Sequence, residues 1–208
     1  MGPVTRILVI ANVVAFALQN VAGDWLIANF ALWPLGRFPL SDGSQEIGFH
    51  VWQLATSAFL HANLAHIFLN MFALWTFGRD VEVVLGARAY ASLYAAAVLT
   101  GSIAQLLVVS WAAESSGGIY PTIGASGGVF GVLLAFGTMF PRRRVMLIFP
   151  PIPMPAWVFV LGYAVLELAS GVFGTQQGVA HFAHLGGMLG AFVVLLLVRR
   201  RLRYRPPR

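Results

Sequence analysis

Apolar residues run through this chain in long blocks, with neither the alternation of strands nor the narrow stripe of a surface helix. Six blocks stand between short polar or glycine- and proline-rich stretches: Val4–Val21, Val51–Phe77, Arg88–Trp111, Ile123–Phe140, Pro155–Phe173 and Val179–Val198. Each approaches the ~20 residues that a membrane-spanning helix needs. A helix satisfies its own backbone hydrogen bonds in hydrocarbon, so blocks of this length predict six transmembrane helices. The first block could resemble a signal peptide, since Arg6 precedes an apolar run. It ends in Gln19-Asn20-Val21-Ala22-Gly23, without a small-x-small cleavage site, and is read as a retained helix. No internal repeat or separate soluble domain is visible. The expectation is one transmembrane domain over residues 1–208, ending in a basic tail at 199–208.

Two connections stand out. Gly23–Phe49 carries Trp25, Phe30, Trp33, Phe38 and Phe49 among prolines and glycines, which predicts an irregular segment lying in the membrane interface. Gly174–Gly178 is short and polar.

Composition agrees with the blocks. The chain is 59% hydrophobic and 10% charged, against about a quarter charged in soluble domains. All 13 basic residues are arginine, and their placement decides the meaning of the net charge of +6. With six spans, Arg6, Arg79, Arg88, Arg142–Arg144 and the tail arginines share one side; only Arg37 falls on the other, with Asp24, Asp42, Glu46 and Glu114. The positive-inside rule then places both termini in the cytoplasm, as in a multi-pass bacterial inner-membrane protein. Arginines grouped at span ends match anionic lipid headgroups, so the expected partner is membrane lipid and not nucleic acid. The absence of cysteine rules out disulfides and a thiol nucleophile.

Polar residues inside the blocks are few and expensive, which makes them candidates for function. Gly124-Ala125-Ser126-Gly127-Gly128 opens the fourth block, Ala183-His184-Leu185-Gly186-Gly187 lies in the sixth, and the second carries His61, His66 and Asn70. A fourth span of about 16 residues is only ~24 Å long, which submerges Ser126 below the outer surface. A helix start there offers unpaired backbone N–H groups to a developing oxyanion. Gly186-x-x-x-Gly190 would permit close approach of the fourth and sixth spans, bringing His184 to Ser126. His66 and Asn70, at i and i+4, share a helix face and could donate to the same oxyanion. The carboxylate well inside a span is Glu167, expected to face the protein interior or an access gate. No His-Glu-x-x-His occurs, so no metal and no cofactor is expected. No aspartate is placed to complete a triad, so a Ser–His dyad is expected, with the imidazole packed on Phe130 one turn after Ser126.

These motifs, in this order, resemble the rhomboid family of intramembrane serine proteases. The likeness rests on His61-Ala-Asn-Leu-Ala-His66-Ile-Phe-Leu-Asn70, Gly78-Arg-Asp-Val-Glu82-Val-Val-Leu-Gly86, Gly124-Ala-Ser126-Gly and Ala183-His184-Leu-Gly-Gly187. It covers nearly the whole chain and implies an all-α six-transmembrane-helix bundle with a membrane-embedded first loop. It implies Ser126 as nucleophile and His184, rather than the neighbouring His181, as base. His66, Asn70 and the Ser126 backbone N–H would form the oxyanion hole, with Gly124 shaping the turn and Phe130 and His61 in support. The fifth span and Gly174–Gly178 look like the family's lateral gate and lid. Phe130 stands where many relatives carry tyrosine, so it can stack but not hydrogen-bond, and the family's Trp-Arg pair in the first loop is not evident. The expected function is intramembrane serine endopeptidase, cleaving transmembrane-anchored protein substrates near the outer end of their helices. The rivals are a non-catalytic rhomboid-like binding protein, which would be expected to lack Ser126 or His184, and a transporter, for which no inverted repeat is visible.

Overall fold

The computed structural model describes residues 2–39, 46–147, 150–174 and 180–203. The protein is an all-α membrane protein. Helix α1 (Pro3–Phe30) leads through a two-stranded ribbon, β1 (Arg37–Pro39) and β2 (Glu46–Gly48), into the short α2 (Gln53–Thr56) and a tight turn at Ser57–Phe59. Helix α3 (Leu64–Ala73) passes through a widened turn at Leu74–Gly78 into α4 (Arg79–Leu85). Then come α5 (Ala87–Ser116), α6 (Ser126–Met139), a second ribbon of β3 (Arg144–Met146) and β4 (Pro153–Pro155), α7 (Ala156–Phe173) and α8 (His181–Arg203). Among the described residues α1, α5, α7 and α8 are long and apolar enough to cross a membrane, the pair Gln53–Phe59 and Leu64–Leu85 is so only when taken together across its bend, and α6 is shorter. Large apolar side chains such as Val14, Phe68, Leu107, Val172 and Leu189 stay exposed on the helices, as a lipid-facing surface requires.

Three expectations are corrected by this architecture. The first helix does not end at Val21: it kinks at Ala22 (φ −134°, ψ 40°) and continues to Phe30. The Gly23–Phe49 connection is therefore helical in its first part, because no proline occurs before Pro34 to stop it. Its following segment is buried, with Ala31, Leu32 and Trp33 in the core and Trp33 Nε1–H donating to the Ile27 carbonyl at 3.0 Å. Second, the Val51–Phe77 block is no single helix. It bends by 99° between Phe59 and Leu64, where the Asn63 side chain accepts the His66 N–H at 2.8 Å and starts a new helix. That helix runs past Phe77 to Leu85 and stops at Gly86, whose φ of +78° suits glycine. Glu82 consequently lies inside the span, 3% exposed, a second carboxylate beyond the one the blocks revealed. Third, Gly186 and Gly190 do not face the fourth helix. A Cβ on Gly186 would lie 2.7 Å from the Thr100 carbonyl oxygen and one on Gly190 2.6 Å from that of Ala96, both on α5. Gly187, turned about 100° from Gly186, meets the α6 backbone at Gly127.

Polar contacts clamp the two ends of the bundle. Glu82 caps the start of α1, accepting the Val4 and Thr5 N–H groups at 2.8 and 2.9 Å and the Thr5 hydroxyl at 2.7 Å. At this same end Arg143 reaches Asp80 at 2.6 Å. At the opposite end Leu32 and Thr122 pair through both backbone groups at 3.0 and 2.8 Å, and Gln19 bonds the His61 backbone. The N-terminus, the α4 end and the Arg142–Arg144 connection thus share one end of the bundle, while Ser126 lies towards the other.

Candidate active site

Ser126 is the first residue of α6, a helix of 14 residues and so about 21 Å long at 1.5 Å per residue. The approach to it is set by Gly124, whose φ of +134° is accessible essentially to glycine alone. A Cβ at Gly124 would also lie 2.8 Å from Cε1 and Nε2 of His66, so any other residue there would push the His66 ring from its place. The Gly124 N–H donates to the Ser57 carbonyl at 2.9 Å, anchoring the turn to the bend before α3.

Helix α8 supplies the partner. His184 Nε2 lies 2.8 Å from Ser126 Oγ, the distance of a good hydrogen bond. The approach follows from the glycine seam: Gly127 of α6 and Gly187 of α8 touch backbone to backbone, one residue after Ser126 and three after His184. Phe130 lies flat on the His184 imidazole, with ring centroids 4.2 Å apart and planes at 7°.

Packing is not all that orients this ring. Glu167 of α7, 5% exposed, places Oε2 2.8 Å from His184 Nδ1 and 2.6 Å from His181 Nδ1. The expected dyad held by Phe130 alone is therefore incomplete as a description of the geometry. A carboxylate occupies the place for which the sequence offered no aspartate, 17 residues before His184 and on another helix. The one signal available for it was its cost inside a hydrophobic block. His181 meets Glu167 and has no bond to Ser126 among the described residues. The ligand atoms of Glu167, His181 and His184 lie within 4.8 Å of one another, a spacing that could hold a metal ion; here both imidazoles bond the Glu167 carboxylate.

The second-block residues gather on the facing wall. His66 and Asn70 line the same cavity of about 1320 Å³ as Ser126, Glu167 and His184. Asn70 is buried and donates one amide N–H to the His66 carbonyl at 2.9 Å. His66 Nδ1 lies 3.4 Å from the Ala62 N–H, and accepting there leaves Nε2 as its donor. His61 is buried and meets His66 edge to face at 5.0 Å. The cavity continues between α3 (Leu69, Phe72) and α7 (Phe159, Tyr163), so its apolar flanks come from those two helices. Most of the expected cap at Gly174–Gly178 lies outside the described residues. Trp33 is buried while Arg37 is exposed beside Glu46, so these two form no pair.

Comparison with known proteins bears on the family of the chain. The family model for the rhomboid domain matches residues 48–201. Rhomboid protein 1, mitochondrial, of Saccharomyces cerevisiae is 38% identical over 133 residues, 64% of this chain and 38% of the yeast protein. RHOMBOID-like protein 12, mitochondrial, of Arabidopsis thaliana is 30% identical over 93% of this chain and 57% of its own length. Rhomboid protease GluP of Bacillus subtilis is 30% identical over 68% of this chain and 25% of its own length. The chain thus spans between about a quarter and three fifths of these relatives. With a match across most of its length and a glycine-packed helical core around Ser126 and His184, this chain belongs to the rhomboid family.

Proposed function

We propose that this protein is an intramembrane serine endopeptidase that cuts membrane-anchored proteins near the outer end of their transmembrane helices. The observation that carries the proposal is the 2.8 Å approach of His184 Nε2 to Ser126 Oγ at the start of a short helix among lipid-facing ones. A serine is a weak nucleophile until a base accepts its proton, and this pair is the minimum that such activation needs. Ser126 Oγ attacks the scissile carbonyl while its proton passes to His184 Nε2. The oxyanion forms beside the Ser126 backbone N–H, an orphan donor at the positive end of α6, and within reach of His66 Nε2–H and the Asn70 amide. The imidazolium then protonates the leaving amine, and water hydrolyses the acyl-enzyme by the same route in reverse.

A peptide bond inside a helix is shielded, so the substrate must unwind locally, and small or helix-breaking residues are expected around the cut. The cavity between α3 and α7 supplies a lateral route from the bilayer to Ser126. The arginine-rich end of the bundle faces the cytoplasm and the Ser126 end the outer side, by the positive-inside rule. The test is labelling of the purified chain with a serine-reactive fluorophosphonate, followed by mapping of the modified residue. Modification of Ser126, lost in Ser126→Ala and His184→Ala together with cleavage of a transmembrane substrate, supports the proposal; cleavage that survives Ser126→Ala refutes it.

A further inference from the structure

Glu167 is a polar group of the site that the proposed chemistry of Ser126, His184 and the oxyanion donors leaves unused. A buried carboxylate within a membrane helix is costly unless strongly hydrogen-bonded, and this one receives two imidazole nitrogens on the single oxygen Oε2. An ionised carboxylate can only accept. The shared bond therefore requires His184 to carry its neutral-state proton on Nδ1, leaving the Nε2 lone pair free for the Ser126 hydroxyl. Without the carboxylate, the tautomer with its proton on Nε2 would compete, and it cannot accept from Ser126. The imidazolium formed during attack would also sit against the apolar face of Phe130 without a counter-charge.

We infer that Glu167 is a positioning residue that converts the Ser126–His184 pair into a Ser–His–Glu relay of orientation, with His181 holding the carboxylate in place. The inference rests on the assignment of Ser126 as nucleophile and His184 as base. In each half-reaction the serine or water proton moves to His184 Nε2 and leaves from it, while the Nδ1 proton stays on the imidazole and Glu167 remains deprotonated. The geometry also accounts for a second histidine three residues before His184. At about 60° apart on α8, both rings converge on one oxygen from the neighbouring helix, so His181 Nδ1–H fixes the Glu167 rotamer that His184 needs.

The experiment uses the full chain purified in detergent and reconstituted in liposomes, with a transmembrane model substrate and a fluorophosphonate probe. Glu167→Gln keeps the size of the side chain and can present its amide N–H to Nδ1, which selects the wrong tautomer. Its kcat and labelling rate are expected to fall by ~10²–10⁴, by analogy with loss of the orienting carboxylate in a Ser-His-Asp triad. KM and melting temperature should stay close to wild type, and Glu167→Asp should restore part of kcat. His181→Ala should lose less than Glu167→Gln. A merely structural role predicts the reverse, a lower melting temperature with kcat retained. Wild-type kcat and labelling in a folded Glu167→Gln, beside inactive Ser126→Ala and His184→Ala, overturns the role of Glu167 and leaves the protease assignment standing. Activity in Ser126→Ala overturns the assignment itself. Should Glu167→Gln not fold, proton NMR of the ¹⁵N-histidine-labelled Ser126→Ala protein decides. A far-downfield Nδ1–H resonance that His184→Ala removes is the expected signature, and its absence from the folded protein refutes the inference.

Discussion

Substituting Gly187 by alanine tests whether the glycine seam, rather than the loop before α6, sets the Ser126–His184 distance. A Cβ built on Gly187 would overlap the Gly127 carbonyl oxygen and lie 2.7 Å from the carbonyl carbon and 3.0 Å from the Cα, where ordinary contacts begin at 3.4 Å. Backbone atoms cannot rotate aside as a side chain can, so α6 and α8 must part by about 1 Å or more, a displacement of the size that costs ~10²-fold when it separates reacting groups. Overpacking of this kind also costs about 1–3 kcal/mol of stability. The assay is the rate of fluorophosphonate labelling of Ser126, run beside kcat and KM on a transmembrane substrate and a thermal melt. Gly162→Ala is the control, since a Cβ there meets nothing within 4 Å and alanine favours the helix by about 1 kcal/mol. The expectation is a ~10²-fold drop in kcat for Gly187→Ala with a modest fall in melting temperature, and unchanged kcat for Gly162→Ala. A folded Gly187→Ala protein with wild-type kcat would refute the claim that backbone contact at Gly127 positions the pair.

His66→Ala and Asn70→Ala should each lower kcat by ~10²–10³ with the fold intact, as loss of one oxyanion donor does; full activity in both would reduce these residues to packing groups. Glu82→Ala leaves the α1 N-terminus without its acceptor and should destabilise the protein by about 2 kcal/mol or more, read as a lower melting temperature. Unchanged melting would deny the cap any energetic weight. A cysteine placed at Gly118 should react with an impermeant thiol reagent from outside intact cells and one at Arg142 only after permeabilisation; the opposite pattern inverts the orientation.

Much of this molecule was determined by short-range properties of the chain. Apolar block length decides that helices form and lie in lipid, because no other conformation satisfies backbone groups there. The arginine clusters mark one end, and the cost of polar groups in hydrocarbon makes Ser126, His184, His66, Asn70 and Glu167 conspicuous one by one. The motif order around them was enough to indicate the family. What block hydrophobicity left undecided is everything that depends on a helix's neighbours. Whether Gly23–Phe49 begins as helix, and where the second block bends, depends on local caps such as Asn63, which hydropathy does not register. The facing of Gly186 and Gly187 towards different helices depends on rotation about α8, fixed by simultaneous packing on α5 and α6. The pairing of Glu167 with two histidines across 14 and 17 residues of intervening chain depends on α7 docking against α8. A period in a sequence specifies a helix face but not which face it meets. Only the assembled bundle, where each glycine contact constrains two helices at once, brings a serine, an imidazole and a carboxylate from three separate helices into one hydrogen-bonded line.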